Sequence, residues 1–397
     1  MTNHPVDSAI PLPPDVGAGP MPTGVDDVSS EPSVVQGRLI DRDEGYYALV
    51  WRRFRRSIIG MIGLVLVLML LVMSVFADFF APMDPKQQGT SFAAPDALMF
   101  AAPDGSFSLI PKVYPIVDSD QLDPITFQPI AAPDMAHPTD LGFFVKGYDY
   151  FLFWLIPANI HFFGATTGTP VHFLGTDKLG RDILSRGIIG SRISLTIALV
   201  VVSITTIVGT SLGITSGYIG GRFDTWLQRF VEVVLAFPQL PLYLALTTLI
   251  PVTAPSNVFI AFVIGVLAAL GWAQLSREVR SKTMALSRIE YVRAAVAVGA
   301  GSGRIIFRHI LPNVLSHVIV AITLAIPTVV LLESFLGFLG FAVKPPLISW
   351  GLMLQDTGTF SVIGSYPWIL SPVVFVLITV FAFNALGDGL RDAVDPY

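Results

Sequence analysis

An all-α polytopic membrane protein with six transmembrane helices is the fold class this sequence predicts, on three observations. Of 397 residues, 53% are hydrophobic and only 13% charged, whereas a soluble domain carries about a quarter charged residues. Uncharged apolar runs close to the ~20 residues a helix needs to cross the hydrocarbon recur along the chain. The polar segments between them alternate between basic and nearly charge-free, as the positive-inside rule requires. The net charge of −5 says less than where the charges sit. There is no cysteine, so neither a disulfide framework nor a thiolate metal site is available.

Residues 1–44 are rich in Pro, Asp, Ser and Gly and are acidic where a signal peptide would be basic. Such a segment cannot bury enough apolar surface to fold and is expected to be a disordered cytoplasmic tail. Residues 45–79 follow as an interfacial helix and the first span. Tyr46, Tyr47 and Trp51 lie beside Arg52, Arg53, Arg55 and Arg56 at headgroup level, and residues 57–77 carry no charge. Residues 80–191 read as a large extracytoplasmic insertion, punctuated by prolines. Its most apolar piece, residues 147–157, is too short to span and suits a packed strand or an interfacial segment. Before the second span, Gly175-Thr176-Asp177-Lys178-Leu179-Gly180-Arg181-Asp182 suggests a tight turn and a surface helix over 182–191, capped by Thr176 or Asp177.

Residues 192–397 hold the other five spans. The second, 193–221, contains Ser194, Ala198, Gly209, Ser211 and Gly213, small residues that let helices approach closely in lipid. Arg222, Asp224, Arg229 and Glu232 suggest a short inner loop. No charged side chain lies between Glu232 and Arg277; Pro251, Pro255 and Asn257 divide that stretch into spans at 233–250 and 257–275, the first kinked by Pro238 and Pro241. The fifth span, 313–332, ends at Glu333, roughly 31 Å from Pro312 at ~1.5 Å per residue, which predicts an interfacial carboxylate. His317, near the inner end of that span, reads as a satisfied polar contact. The sixth span, 368–386, precedes Gly387-Asp388-Gly389-Leu390-Arg391-Asp392. Of 24 Lys and Arg, 14 fall in the four inner segments and one, Lys344, in the two short outer loops. That tally predicts both termini inside.

The long loop at residues 277–312 is the most basic part of the chain, with Arg277, Arg280, Lys282, Arg288, Arg293, Arg304 and Arg308. A helix is expected over 282–298, with Ala285, Ile289, Val292 and Val296 along one face. Gly299 stops it, and a second helical stretch resumes before Pro312. This helix–glycine–helix unit resembles the EAA loop of permease subunits of ABC importers. Ala294, Ala295, Gly299, Leu311 and Pro312 match the family pattern at its spacing, while Arg293 stands in place of its Glu and His309 in place of its Ile. Further pieces are Gly175-Thr176-Asp177, Ala236-Phe237-Pro238, Tyr291-Val292-Arg293-Ala294-Ala295, Phe338-Leu339-Gly340-Phe341 and Gly387-Asp388-Gly389. Together, over residues 173–396, they resemble the C-type permease of oligopeptide/dipeptide importers.

That resemblance implies a type I ABC importer permease fold in a bacterial inner membrane. It also implies a homologous second permease subunit, two cytoplasmic ATPase subunits and an extracytoplasmic solute-binding protein as partners. No nucleic acid is expected among the partners, and no cofactor on this chain, with ATP and Mg used by the ATPases. Tyr291, Arg293, Ala294, Ala295, Gly299, Leu311 and Pro312 are then the coupling residues. Asp177, Arg181, Asp182 and Glu333 are outer-surface or gate candidates. No lysine follows a glycine, so no P-loop is present, and there is no HExxH; the chain is therefore expected to be no enzyme. The other class in play is an ion-coupled secondary transporter or channel, which would carry ionisable residues near the midplane.

Overall fold

The computed structural model describes residues 46–101, 107–122, 129–153, 155–251 and 253–394. The 1–44 tail lies outside them. Helix α1 (Tyr46–Phe54) leads to α2 (Ile58–Val75), whose N-terminus is capped by Ser57 accepting from the Gly60 N–H at 3.1 Å. The short α3 (Ala77–Phe80) turns the chain away from the span. Then come six strands, β1 (Ala97–Ala101), β2 (Phe107–Tyr114), β3 (Ile116–Leu122), β4 (Pro129–Pro133), β5 (Thr139–Leu152) and β6 (Ile156–Ala165). They form an antiparallel sheet in the order β1-β2-β5-β6 and a separate β3-β4 pair. Among the described residues, strands occur only in this insertion, and the rest is helical as expected. Residues 147–157, expected as a packed strand or an interfacial segment, hold the end of β5 and the start of β6, and among those described only Tyr150 is buried.

Helix α4 (Ile183–Ile219) is continuous for 37 residues. The surface helix expected over 182–191 is instead its first turns, because nothing there breaks the hydrogen-bond ladder. Neither Thr176 nor Asp177 caps it. The cap is Asp182, whose carboxylate accepts the Ser185 N–H at 2.7 Å. The expected inner loop at Arg222–Glu232 is also helical, inside α5 (Gly221–Ala236), which starts directly after the left-handed Gly220. Helix α6 (Gln239–Thr247) follows at an angle of 82° to α5. Proline drives the residue before it out of the α region, and Phe237 accordingly has ψ 136° ahead of Pro238. Pro241 sits in the first turn of α6, where a missing N–H is no loss, so only one of the two expected kinks forms.

Helix α7 (Ser256–Leu286) precedes the short α8 (Glu290–Ala297) and α9 (Ser302–Ile305). A π-helical turn, Ile306–Ile310, leads into α10 (Leu311–Phe338). Pro312 explains that turn: it has no N–H for the carbonyl four residues back, and the Leu311 N–H bonds five back to Ile306. The far end of α10 is covered by α11 (Trp350–Leu354) and the 3-10 turn Gln355–Gly358; α12 (Phe360–Ser365) follows, and then α13 (Pro372–Val394). Residues 387–392, expected beyond the last span, continue α13 as helix.

Among the described residues, five helical runs are long and apolar enough to cross a membrane: Ile58–Val75, Ile183–Ile219, Ser256–Leu286, Ser302–Phe338 and Pro367–Val394. The bent α5–α6 pair makes the sixth if its arms count as one span. Helices α4 and α7 pack through a ladder of Gly209, Gly213 and Gly217. A Cβ on Gly213 would stand 2.6 Å from the Ser276 carbonyl oxygen, and one on Gly217 would stand 2.7 Å from that of Arg280. Gly209-Thr210-Ser211-Leu212-Gly213 has the letter spacing of a hydrolase nucleophile elbow. That elbow requires a strand–turn–helix, and here the string lies inside α4 with its glycines against α7.

Candidate functional site: the basic loop and the insertion clasp

The basic loop forms one end of the helix bundle, and its shape differs from the helix expected over 282–298. The chain leaves the helix at 287–289, where the Ser287 hydroxyl donates to the Met284 carbonyl at 2.9 Å and Ile289 is extended (ψ 146°). Side-chain bonds of this kind compete with the helical ladder. Of the predicted apolar face, Val292 alone is buried, at 1% exposure. It seats against Ile305, Ile310 and Val314, with Ile214 of α4 and Val279 of α7 behind them. Val292 thus shares one buried cluster with residues of three spanning helices.

Apart from Tyr291 and the half-buried Ala295, the rest of α8 stands clear of the chain. Arg293, Ala294, Val296 and Ala297 are exposed, and Val298 is 86% exposed. Gly299 ends the helix at φ +84°. The Ala300 N–H reaches the Ala295 carbonyl and the Gly299 N–H reaches that of Val296, at 3.0 and 2.9 Å. This is the Schellman closure, which needs a left-handed residue where Gly299 stands. Tyr291 binds α8 to the start of α10: Asn313 Nδ2 donates to its hydroxyl at 3.1 Å and to the His309 carbonyl at 2.6 Å. The His309 ring lies 6.1 Å from that of Tyr291. The two departures from the family pattern therefore fall apart in space. His309 belongs to the joint, whereas Arg293 points outward.

Two further residues brace this end. Asp224 of α5 accepts a bidentate pair from Arg280 of α7, one arm at 2.6 Å, and also accepts the Ser216 hydroxyl of α4. Two-bond pairs of this kind fix geometry as well as charge. The sequence shows both residues but places Asp224 in a loop, which hides the pairing. Beside the joint opens a cleft of about 910 Å³, lined by Glu278, Lys282, Leu286, Ile289, His317 and Arg391 among others. His317 faces Glu278 at 3.4 Å. Deeper, a cavity of about 290 Å³ shares Glu278 and Ala321 with the cleft and adds Thr205, Gln239, Tyr243 and Gln274.

At the opposite end, the Gly175–Asp182 turn is a clasp. Asp177 accepts the backbone N–H groups of Leu179 and Arg181 at 2.9 and 3.0 Å and the Arg181 guanidinium at 2.8 and 2.7 Å. Arg186, buried in α4, faces the same carboxylate at 3.4 Å. Thr176 donates to the Thr90 carbonyl and accepts the Ala93 N–H, both at 2.7 Å, which pins the insertion to the top of α4. Gly180, at φ +73°, lies so close to Gly89 that no side chain fits between them. Asp182 meets His172 at 3.2 Å. Burial pushes the neighbouring Asp96 carboxyl above its ordinary value, against the His172 N–H it accepts at 2.7 Å.

Asp177, Arg181 and Asp182 thus come together, but Glu333 does not join them. The expected interfacial carboxylate is fully buried at 0% exposure. The Ser194 hydroxyl of α4 donates to it at 3.0 Å, and the Trp350 N–H of α11 donates to Ser194 at 3.1 Å. Rise along α10 takes no account of α11 and the turn at 355–358, which fold back over the end of that helix. Ser194 was legible only as a member of a small-residue, apolar run, and Arg186 only as part of the surface helix expected over 182–191.

Comparison with known proteins agrees with this architecture. Residues 209–397 match the family of binding-protein-dependent transport system inner membrane components. Residues 45–103 match the N-terminal transmembrane domain of oligopeptide transport permease C. The oligopeptide transport system permease protein OppC of Haemophilus influenzae is 41% identical over 233 residues, which cover 58% of this chain and 72% of that protein. This chain belongs to the oligopeptide/dipeptide-type ABC importer permeases. The dipeptide transport system permease protein DppC of Alkalihalophilus pseudofirmus is 42% identical over 57% of this permease and 72% of its own length. The glutathione transport system permease protein GsiD of Pectobacterium atrosepticum is 38% identical at the same coverage. Permeases of this family are membrane-spanning transport subunits and work with ATPase and solute-binding partners.

Proposed function

We propose that this permease pairs with a homologous second permease to line the path of an ATP-driven importer of peptides or similar small solutes. The basic end of the bundle faces the cytoplasm, with both termini on that side of a bacterial inner membrane, and the insertion faces outward. Two ATPase subunits bind and hydrolyse ATP with Mg, and α8 sits in one of them. Tyr291, Arg293, Ala294, Ala295 and Gly299 form the docking element, and Leu311 and Pro312 carry its movement into α10. An extracytoplasmic binding protein delivers solute to the side that carries the Asp177–Arg181 clasp.

The observation that carries this reading is the shape of α8. A two-turn helix stands proud of the bundle, yet its one buried residue, Val292, belongs to the same buried cluster as Ile214 of α4, Val279 of α7 and Val314 of α10. A push on α8 therefore enters an apolar cluster that three spanning helices share. Small Ala294 and Ala297 leave its outward face open to close approach. Peptide uptake into vesicles holding this permease and its partners is expected to require ATP and to stop when the ATPases are left out. Uptake that continues without them on an ion gradient contradicts the proposal.

A further inference from the structure

The tip of the β5–β6 hairpin carries a charge-free apolar stretch, and four of its described side chains are exposed. Phe151, Phe153, Leu155 and Ile156 are all exposed, Leu155 at 82%, and no charged residue lies between Asp149 and His161. An exposed cluster of this kind marks a surface that something apolar covers.

A register of contacts sets the height of that tip. At the base of the hairpin, Phe144 and Phe162 pack on Phe79, with ring centroids 6.3 and 5.9 Å away. One step further, the His161 ring nitrogens lie 2.9 Å from the Asp78 carbonyl and 3.0 Å from that of Tyr148. At the tip, Phe153 meets Phe76 edge-on at 5.5 Å. Each step towards the tip moves back along the chain from α3 to Phe76, the C-cap of α2. The hairpin therefore points at the membrane rather than away from it.

The level of Phe76 follows from α2. This span starts just after Arg55 and Arg56 and has 18 residues, about 27 Å at ~1.5 Å per residue, which nearly fills a hydrocarbon core of ~30 Å. Phe76 thus sits at the far boundary of the hydrocarbon, where aromatic side chains gather. On α2 itself, Leu68, Val72 and Val75 are exposed, and the tip extends that lipid-facing surface sideways through the Phe76–Phe153 contact. The Asp78–Arg192 ion pair, at 2.9 Å, marks the polar side of the same boundary.

We infer that Phe151, Phe153, Leu155 and Ile156 of the hairpin are seated in the lipid leaflet on the insertion side, the outer leaflet under the orientation proposed above. The insertion is then held to the membrane twice, by the clasp on α4 and by this apolar tip. Because the chain has no cysteine, one introduced thiol is its single labelling site, and the chain is labelled before it is assembled with its partners. In the assembled transporter in phosphatidylcholine nanodiscs, a label on Leu155→Cys should lose most of its emission to nitroxide-bearing lipid and resist iodide. A label on Ala136→Cys, at an exposed turn of the same insertion, should do the reverse. Quenching of the Leu155 position by iodide, or by neither agent because protein covers it, overturns the inference. Labelling of Ala136→Cys by an impermeant maleimide on spheroplasts tests the orientation alone, so the two readings fail separately.

Discussion

Replacing Gly299 with valine is expected to separate ATP hydrolysis from uptake. At φ +84° the Schellman turn demands a left-handed residue, and a side chain there costs about 1–2 kcal/mol, more when it is β-branched. No atom lies within 4 Å of the position where a Cβ would stand, so the penalty is conformational rather than steric. A cost of ~2 kcal/mol depopulates the native turn more than tenfold, since ~1.4 kcal/mol is a factor of ten. Helix α8 then loses its fixed angle to α10 while the membrane helices keep their packing. The assembled transporter should still bind and hydrolyse ATP, and peptide moved per ATP should fall about tenfold. Gly301→Val is the control, because Gly301 has φ −68° and ψ 154°, a conformation valine favours. If both variants behave alike, the left-handed turn is not what couples.

Replacing Gly213 with leucine is expected to dismantle the bundle itself. The ladder of Gly209, Gly213 and Gly217 brings the α4 backbone against the α7 carbonyls, with 2.6 Å from a Gly213 Cβ to the Ser276 oxygen. In lipid this close packing is the principal force between helices, since burial of apolar surface drives nothing there. Overpacking costs on the order of 3 kcal/mol even where neighbours can shift, and here the neighbour is backbone. The variant should lose much of its thermal stability in detergent and most of its assembled yield. Gly265→Leu supplies the comparison: Gly265 is on α7 with nothing within 4 Å of its Cβ position, and leucine there should be tolerated. A stable Gly213→Leu protein would show that α4 and α7 do not meet as described.

How much of this was legible in the sequence depends on the range of the interaction that decides each element. The small residues of α4 were read as a packing face, because a glycine every four residues is a local signal with one meaning in lipid. Helix-breaking at Pro238 was legible for the same reason: the constraint on Phe237 is set by its immediate neighbour. Gly299 was legible as a stop. What failed were features decided across the fold. Helix over 282–298 follows from propensity, yet the chain turns at 287–289 so that Val292 can reach Ile305 and Val314. Glu333 was read as interfacial and is instead buried, because its cover, Trp350 and α11, comes from a segment that reads as a plain loop. Asp224 and Arg280 stand 56 residues apart, and only the packing of α5 beside α7 makes them a pair. At the clasp, residue types pointed to a turn, but the partner of Gly180 is the backbone of Gly89, which carries no side-chain signature at all.

The central claim is that α8 is the contact between this permease and an ATPase, and one cysteine tests it. Ala294 is small and exposed on the outward face of α8, and the chain contains no native cysteine. With Ala294→Cys carrying a short photoactivatable cross-linker in the assembled transporter, illumination is expected to join this chain to an ATPase subunit, with a yield that changes when ATP is added. The same cross-linker at Ala136→Cys, in the insertion, should give no ATPase product. An Ala294 probe that reacts only with lipid, or with the second permease, would contradict the account.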